Sequence, residues 1–212
     1  MQSRVISLNM VSTEKQEIIP SGIFYGEGLN GFMQVYEAAV KLSQQLHVKY
    51  INKPLKTAVQ VMPDCYDEMW LAGKGSYKLQ KPGVMQEGGQ IIIYAPNVRC
   101  FHSNQIMENE ILSLGYHCRD YVLEFIKSNH GFSKNVASHV INVAGPGTYD
   151  IKNRAENKKL NITLATSISE TICKKVGLGY IDPSKIRKQD FLGEDMLWED
   201  EGGKYLYDLI DK

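Results

Sequence analysis

The sequence predicts an α/β fold: a mostly parallel sheet flanked by helices, preceded by a β-hairpin and a crossover helix. Three observations carry this. "QIIIYAP" is a continuous apolar run bounded by Gly89 and Pro96, as expected of a strand buried on both faces of a parallel sheet. "LNITLAT", Leu160 to Thr166, reads as a further strand. Around them, segments with apolar residues at helical spacing alternate with strand-like runs, the pattern of parallel α/β architecture.

The elements follow in order. Val5 to Met10 and Ile18 to Tyr25 are apolar runs separated by the polar turn "STEKQE". They read as a hairpin, with Pro20 favouring an edge position because proline cannot donate to the ladder. Asn30 to Leu46 carries Phe32, Tyr36, Ala39, Val40 and Leu46 at helical spacing. "VKYI" and "TAVQVM" read as strands, with "NKPL" between them as a boundary. Glu68 to Gln80 reads as a helix interrupted by Gly73 and Gly75, each costing about 1 kcal/mol relative to alanine. "KPGVMQEGG" is a turn-rich connector. Ile106 to Leu114 and Asp120 to Lys127 read as helices, and Ser133 to Val143 fits either helix or strand. "AGPGTYD" reads as a loop. Ser167 stands three residues before Glu170, a capping-box spacing that opens a helix to Lys175. "GLGYIDPSKI" ends in a strand-like step and a turn. The tail is acidic, then amphipathic, and its "WEDEGG" reads as a solvated acidic loop. Two domains are expected: 1–52, the hairpin and connecting helix, and 53–212, an α/β lobe.

Composition excludes some classes. Lys plus Arg number 24 and Asp plus Glu number 24, so there is no broad basic footprint for nucleic acid or an anionic membrane. The apolar runs are far shorter than the about 20 residues a membrane span needs. The first 25 residues show no apolar secretory core, and a cytoplasmic location is expected. Cys65, Cys100, Cys118 and Cys173 are far apart and form no C-x-x-C pair, so reduced thiols are expected and no zinc site. His47, His102, His130 and His139 show no metal-ligand spacing.

Three stretches are candidates for chemistry. "GEGLNG" places Gly26, Gly28 and Gly31 in a G-x-G-x-x-G pattern between a strand and a helix. A dinucleotide site would need an acidic residue about 20 positions on, at the end of the next strand. That strand ends in Asn52 and Lys53, so a glycine-rich loop opening a helix is the better reading. In "MPDCYDEMWLAGKGSYKL", Trp70 and Lys74 share a helix face, and Asp64, Asp67 and Glu68 lie at the positive end of the helix dipole. Lys74 is either an exposed lysine on a capped helix, or a contact for a substrate carboxylate beyond a strand's carboxyl end. "GYHCRDY" groups His117, Arg119 and Asp120, residues able to bind an anion or move a proton, or simply to open a helix.

The series "MPDCYDEMWLAGKGSYKL", "GGQIIIYAPNV", "LGYHCRDY", "GPGTYD" and "ITLATSISE…GLGYIDP" resembles the carboxyl-terminal half of the nickel-dependent lactate racemase family, in its branch of unassigned substrate. The likeness runs from about Ile6 to Pro183. It implies two lobes around a cleft, a nickel pincer nucleotide, and racemisation or epimerisation of a 2-hydroxy acid by hydride transfer to that cofactor. The family's catalytic histidines, nickel ligand and phosphate loop belong to an amino-terminal lobe, of which residues 1–52 resemble only the tail. The resemblance therefore implies no catalytic residue, no metal ligand and no stably bound cofactor in this chain, and inactivity without the missing amino-terminal lobe as partner. Its glutamine–x–x–lysine substrate contact maps onto Leu71 and Lys74. Leucine in place of glutamine implies a larger or more apolar 2-hydroxy acid than lactate. His117 or Arg119 stands in the region of the family's substrate-side tryptophan. Substrate-binding candidates are thus Lys74, Leu71, Trp70, His117 and Arg119. Apolar surface left by a missing lobe makes a homo-oligomer plausible. The competing reading is a non-enzymatic α/β module that binds a nucleotide or a protein.

Overall fold

A computed structural model describes residues 5–14 and 17–210. Lys15 and Gln16, within the expected hairpin turn, lie outside the described residues. The chain divides into two compact units, 1–49 and 50–212.

In the first unit, β1 (Ile6–Glu14) and β2 (Ile18–Glu27) pair antiparallel, and α1 (Gly28–His47) packs on one face of the ribbon. Pro20 is accommodated because the register shifts between Val11 and Ser12, so the extra residue falls where the ladder is already interrupted. The glycine motif works as a close-packing joint. A Cβ on Gly26 would lie 2.5 Å from the Gly31 carbonyl oxygen, so the strand end and the helix start meet backbone to backbone. On the other face of the ribbon, Leu8 opposes Tyr25 and Met10 opposes Ile23, and all four are exposed.

The second unit is built on five parallel strands. β3 (Val48–Ile51) spans the division between the units, and the Ile210 N–H donates to the Ile51 carbonyl. Then come β4 (Leu55–Val61), α2 (Met69–Ala72), α3 (Lys74–Tyr77), β5 (Met85–Ala95), α4 (Gln105–Leu114), α5 (Arg119–Ser128) and α6 (Lys134–Ala144). A small antiparallel hairpin, β6 (Gly147–Asp150) and β7 (Ala155–Lys158), leads to β8 (Leu160–Thr166), α7 (Glu170–Lys175), β9 (Gly179–Tyr180), β10 (Met196–Glu199) and β11 (Leu206–Leu209). The sheet order is β10-β4-β5-β8-β9, parallel throughout.

Alternation along the central strands divides the core. Ala58, Ile91, Ile93, Ile162 and Leu164 face the large cluster, where Met69, Ile111, Val122, Val136 and Val140 supply the helix side. Val59, Ile92 and Ala165 face a smaller cluster, covered by Ile181, Ile186 and Phe191 from the segment between β9 and β10 and by Trp198 of β10. Both faces are buried, which is why β5 carries the unbroken apolar run Ile91 to Ile93.

Several local expectations change. The 133–143 segment is helical, because Ser133 Oγ caps the Val136 N–H and Val136, Val140 and Val143 form one buried stripe. The connector is partly strand, since β5 begins at Met85. "GTYD" is a strand, paired with β7. The last helix is capped by Ser169, whose Oγ accepts from the Ile172 N–H, while the Ser167 hydroxyl donates to the Pro96 carbonyl.

Candidate functional site

The carboxyl ends of the sheet strands point to one region. Chain order along the sheet breaks between β10 and β4, and open α/β sheets bind ligands beyond the strand ends at such a break. Two segments meet there: the loop and short helices after β4, and the turn after β10.

The β4 side is held by its neighbour. The Met69 and Trp70 N–H groups donate to the Cys100 and Phe101 carbonyls, each at 2.9 Å, so the α2 start is satisfied by the loop after β5 instead of a side-chain cap. Glu68 is buried, and its carboxylate accepts the Ser103 N–H at 2.6 Å. Gly73 allows α2 and α3 to lie against α6, since a Cβ there would be 2.6 Å from Val143 Cγ2.

On this frame, Trp70 is sandwiched between two imidazoles. Its ring centroid is 4.8 Å from His102 and 4.5 Å from His139. Burial, and then the charge of His102, lower the His139 pKa to about 4, so this imidazole is neutral near pH 7. Its Nε2 lies 2.9 Å from the Tyr116 hydroxyl, and His102 Nδ1 accepts the Asn104 N–H at 2.9 Å. The pair is therefore a rigid aromatic support. Leu71, one residue on, is exposed.

Lys74 is half-buried and turns to the other side. Its ammonium donates to the Tyr66 hydroxyl and sits 4.5 Å from the centre of the Tyr66 ring. Its stem runs over Gly203: a Cβ at 203 would stand 2.6 Å from Lys74 Cγ and 3.1 Å from both Cδ and Cε. Gly203 has φ 74°, and its N–H donates to the Oε1 of fully buried Gln60 at 2.8 Å. Gly202 is equally enclosed, against the Val61 backbone. The "WEDEGG" stretch is thus only partly a solvated loop: Asp200 and Glu201 are exposed, whereas Glu199, Gly202 and Gly203 are buried. Trp198 and Glu199 end a sheet strand, Glu199 is buried and accepts from the Tyr207 hydroxyl, and Gly203 forms the floor under Lys74 while Gly202 packs on the Val61 backbone. Among the described residues no carboxylate pairs with Lys74. The nearby Lys78 ammonium is pushed down in pKa by burial and then by the Lys74 charge.

The remaining candidates are elsewhere. His117 Nδ1 donates to Glu156 Oε2 at 2.7 Å, and its ring stacks on Tyr121 at 3.8 Å. Glu156 also accepts the Cys118 N–H at 2.6 Å. Burial opposes ionisation of Glu156. Hydrogen bonds from His117 and the Cys118 N–H, with the Lys158 charge, outweigh it and hold the pKa at about 2. Glu156 belongs to β7, and Lys158 binds the Gly177 carbonyl, so this group marks the amino-terminal end of β8 and β9. His117 and exposed Arg119, at the start of α5, are therefore not assembled with Lys74. Cavities of about 290 and 320 Å³ also lie at that end, lined in part by Met85 and Lys159, and by Lys158 and Gly177. Tyr66 and Gly203 escaped the sequence reading. The one signal was the paired glycine after an acidic run, whose meaning depends on a neighbour 129 positions away in Lys74.

No family model and no curated protein matches the chain. Among solved structures, a protein from Thermotoga maritima determined as a structural-genomics target is 56% identical, with TM-score 0.89, over 99% of this chain and 50% of that one. The lactate racemase apoprotein from Thermoanaerobacterium thermosaccharolyticum aligns with TM-score 0.60 and 11% identity, over 96% of this chain and 46% of that one. The chain thus has a lactate racemase-like fold and spans about half the length of both proteins. Among the described residues no helix is long and apolar enough to cross a membrane.

Proposed function

We propose that this chain is the substrate-side half of a racemase or epimerase acting on a 2-hydroxy acid, and that it needs the polypeptide corresponding to the other half of its longer structural relatives. The observation that carries this is Lys74: a half-buried cation at the carboxyl end of a parallel sheet, without a carboxylate partner among the described residues. A bound carboxylate supplies the missing counter-charge. The shared fold with a lactate racemase supports the reaction class.

The resemblance assigns hydride acceptance to a nickel pincer nucleotide. The residues here do not fit a nickel site: among the described residues no three His, Cys, Asp or Glu side chains converge, and His139 Nε2 and His102 Nδ1 already have partners. Lys74 binds and orients the carboxylate, and exposed Leu71, where the family has glutamine, favours an apolar substituent on the acid.

The test is to join the chain with the other half, loaded with cofactor, and follow D/L interconversion of a panel of 2-hydroxy acids in deuterated water. Interconversion without deuterium at the α-carbon, abolished by Lys74→Ala, is expected. Deuterium uptake would show proton abstraction. Absence of turnover, with a nucleotide or protein ligand bound by the chain alone, would establish the binding-module reading.

A further inference from the structure

We propose that Tyr66 and Lys74 form a two-donor clamp for a small carboxylate, with Gly203 as the positioning residue that lets the lysine lie in it. The inference rests on Lys74 as the carboxylate contact and adds what holds and completes that contact.

The geometry is specific. An ammonium has three donors, and the Tyr66 oxygen accepts one of them. Among the described residues the Tyr66 hydroxyl has no other hydrogen-bond partner, so its own O–H remains to donate. A carboxylate arriving at Lys74 meets an N–H and an O–H from adjacent atoms, one for each oxygen. The Tyr66 hydroxyl holds the ammonium end of the lysine, and the Gly203 floor restricts its stem. Restricting the lysine before binding removes part of the ordering cost of association. The charge is fitting too, since Lys78 adds positive potential. Two-point recognition distinguishes a carboxylate from a monatomic anion such as chloride, which a lone lysine does not.

The experiment uses the full chain labelled with [13Cζ]tyrosine, the Tyr66 resonance being identified by its loss in Tyr66→Phe. Lactate, acetate and sodium chloride are titrated at constant ionic strength, and dissociation constants are read from the protein resonances. Both carboxylates are expected to move the Tyr66 signal, and chloride to leave it in place. Lys74→Ala should abolish the response. Tyr66→Phe, which keeps the ring and removes the donor, should weaken carboxylate binding about tenfold, the size expected for one hydrogen bond to a charged group. Gly203→Ala should weaken it as well, while Gly88→Ala should not. Equal carboxylate affinity in wild type and Tyr66→Phe overturns the clamp, as does a Tyr66 response to chloride equal to that to lactate. Racemisation by the joined halves with KM unchanged in Tyr66→Phe would also remove the clamp, and would leave the proposed function standing.

Discussion

Gly203 lies directly beneath the side chain of Lys74, at a distance that only a residue without a Cβ permits. Gly203 belongs to the turn after β10 and Lys74 opens α3 in the segment after β4, and the parallel pairing of those strands brings the two together. Gly203→Ala therefore meets two penalties. Its φ of 74° costs a side chain about 1–2 kcal/mol, and displacing the Lys74 stem adds to that. Gly88 has φ 76° and nothing within 4 Å of its missing Cβ, so Gly88→Ala should show the first penalty alone. Urea denaturation of both variants should place Gly203→Ala lower; equal midpoints would mean the lysine moves aside freely.

The His139 environment sets a pH dependence. Its folded pKa of about 4 lies below the ordinary 6.5, so the unfolded chain binds more protons between those values. Stability should be fully present above pH 6.5 and fall as pH drops towards 4, by no more than about 3 kcal/mol from this residue. Denaturation midpoints at pH 7 and pH 5 should converge in His139→Asn. An unchanged slope in that variant would place the titration elsewhere.

Glu156 acts in a lower window. Its folded pKa of about 2 lies below the usual 4.5, so its stabilising contribution is present above pH 4.5 and lost as pH falls towards 2. Glu156→Gln should lessen the acid sensitivity between those values and speed hydrogen exchange at the Cys118 amide, which the carboxylate accepts. An amide exchanging as slowly as in the wild type would show that the α5 start does not depend on this carboxylate.

The outer face of the β1–β2 ribbon predicts association. Leu8, Met10, Ile23 and Tyr25 form an exposed apolar patch of neighbouring cross-strand pairs. Leu8→Ser with Ile23→Thr should change stability by no more than about 0.5 kcal/mol, as for surface positions generally. The same pair should reduce concentration-dependent association in sedimentation velocity. Unchanged sedimentation would show that this face does not mediate self-association.

Much of this protein was determined locally. β5 was legible because a strand covered on both faces carries an uninterrupted apolar run, and β8 because its β-branched and apolar residues form a short strand-like segment. Helices α4 and α5 were legible because one buried face imposes helical spacing. Pro20 and the glycines of "GEGLNG" were legible as backbone residues. Tertiary structure decided the rest. Whether His117 joins Lys74 depends on which end of the sheet each loop leaves, and strand direction and order are not written in periodicity. "WEDEGG" reads as solvated because its composition is acidic. Asp200 and Glu201 are exposed, but Glu199 and Gly203 are buried because Glu199 finds the Tyr207 hydroxyl and Gly203 finds Gln60. Gln60 is 143 positions from Gly203, and only the packed sheet brings that turn and Tyr66 around Lys74.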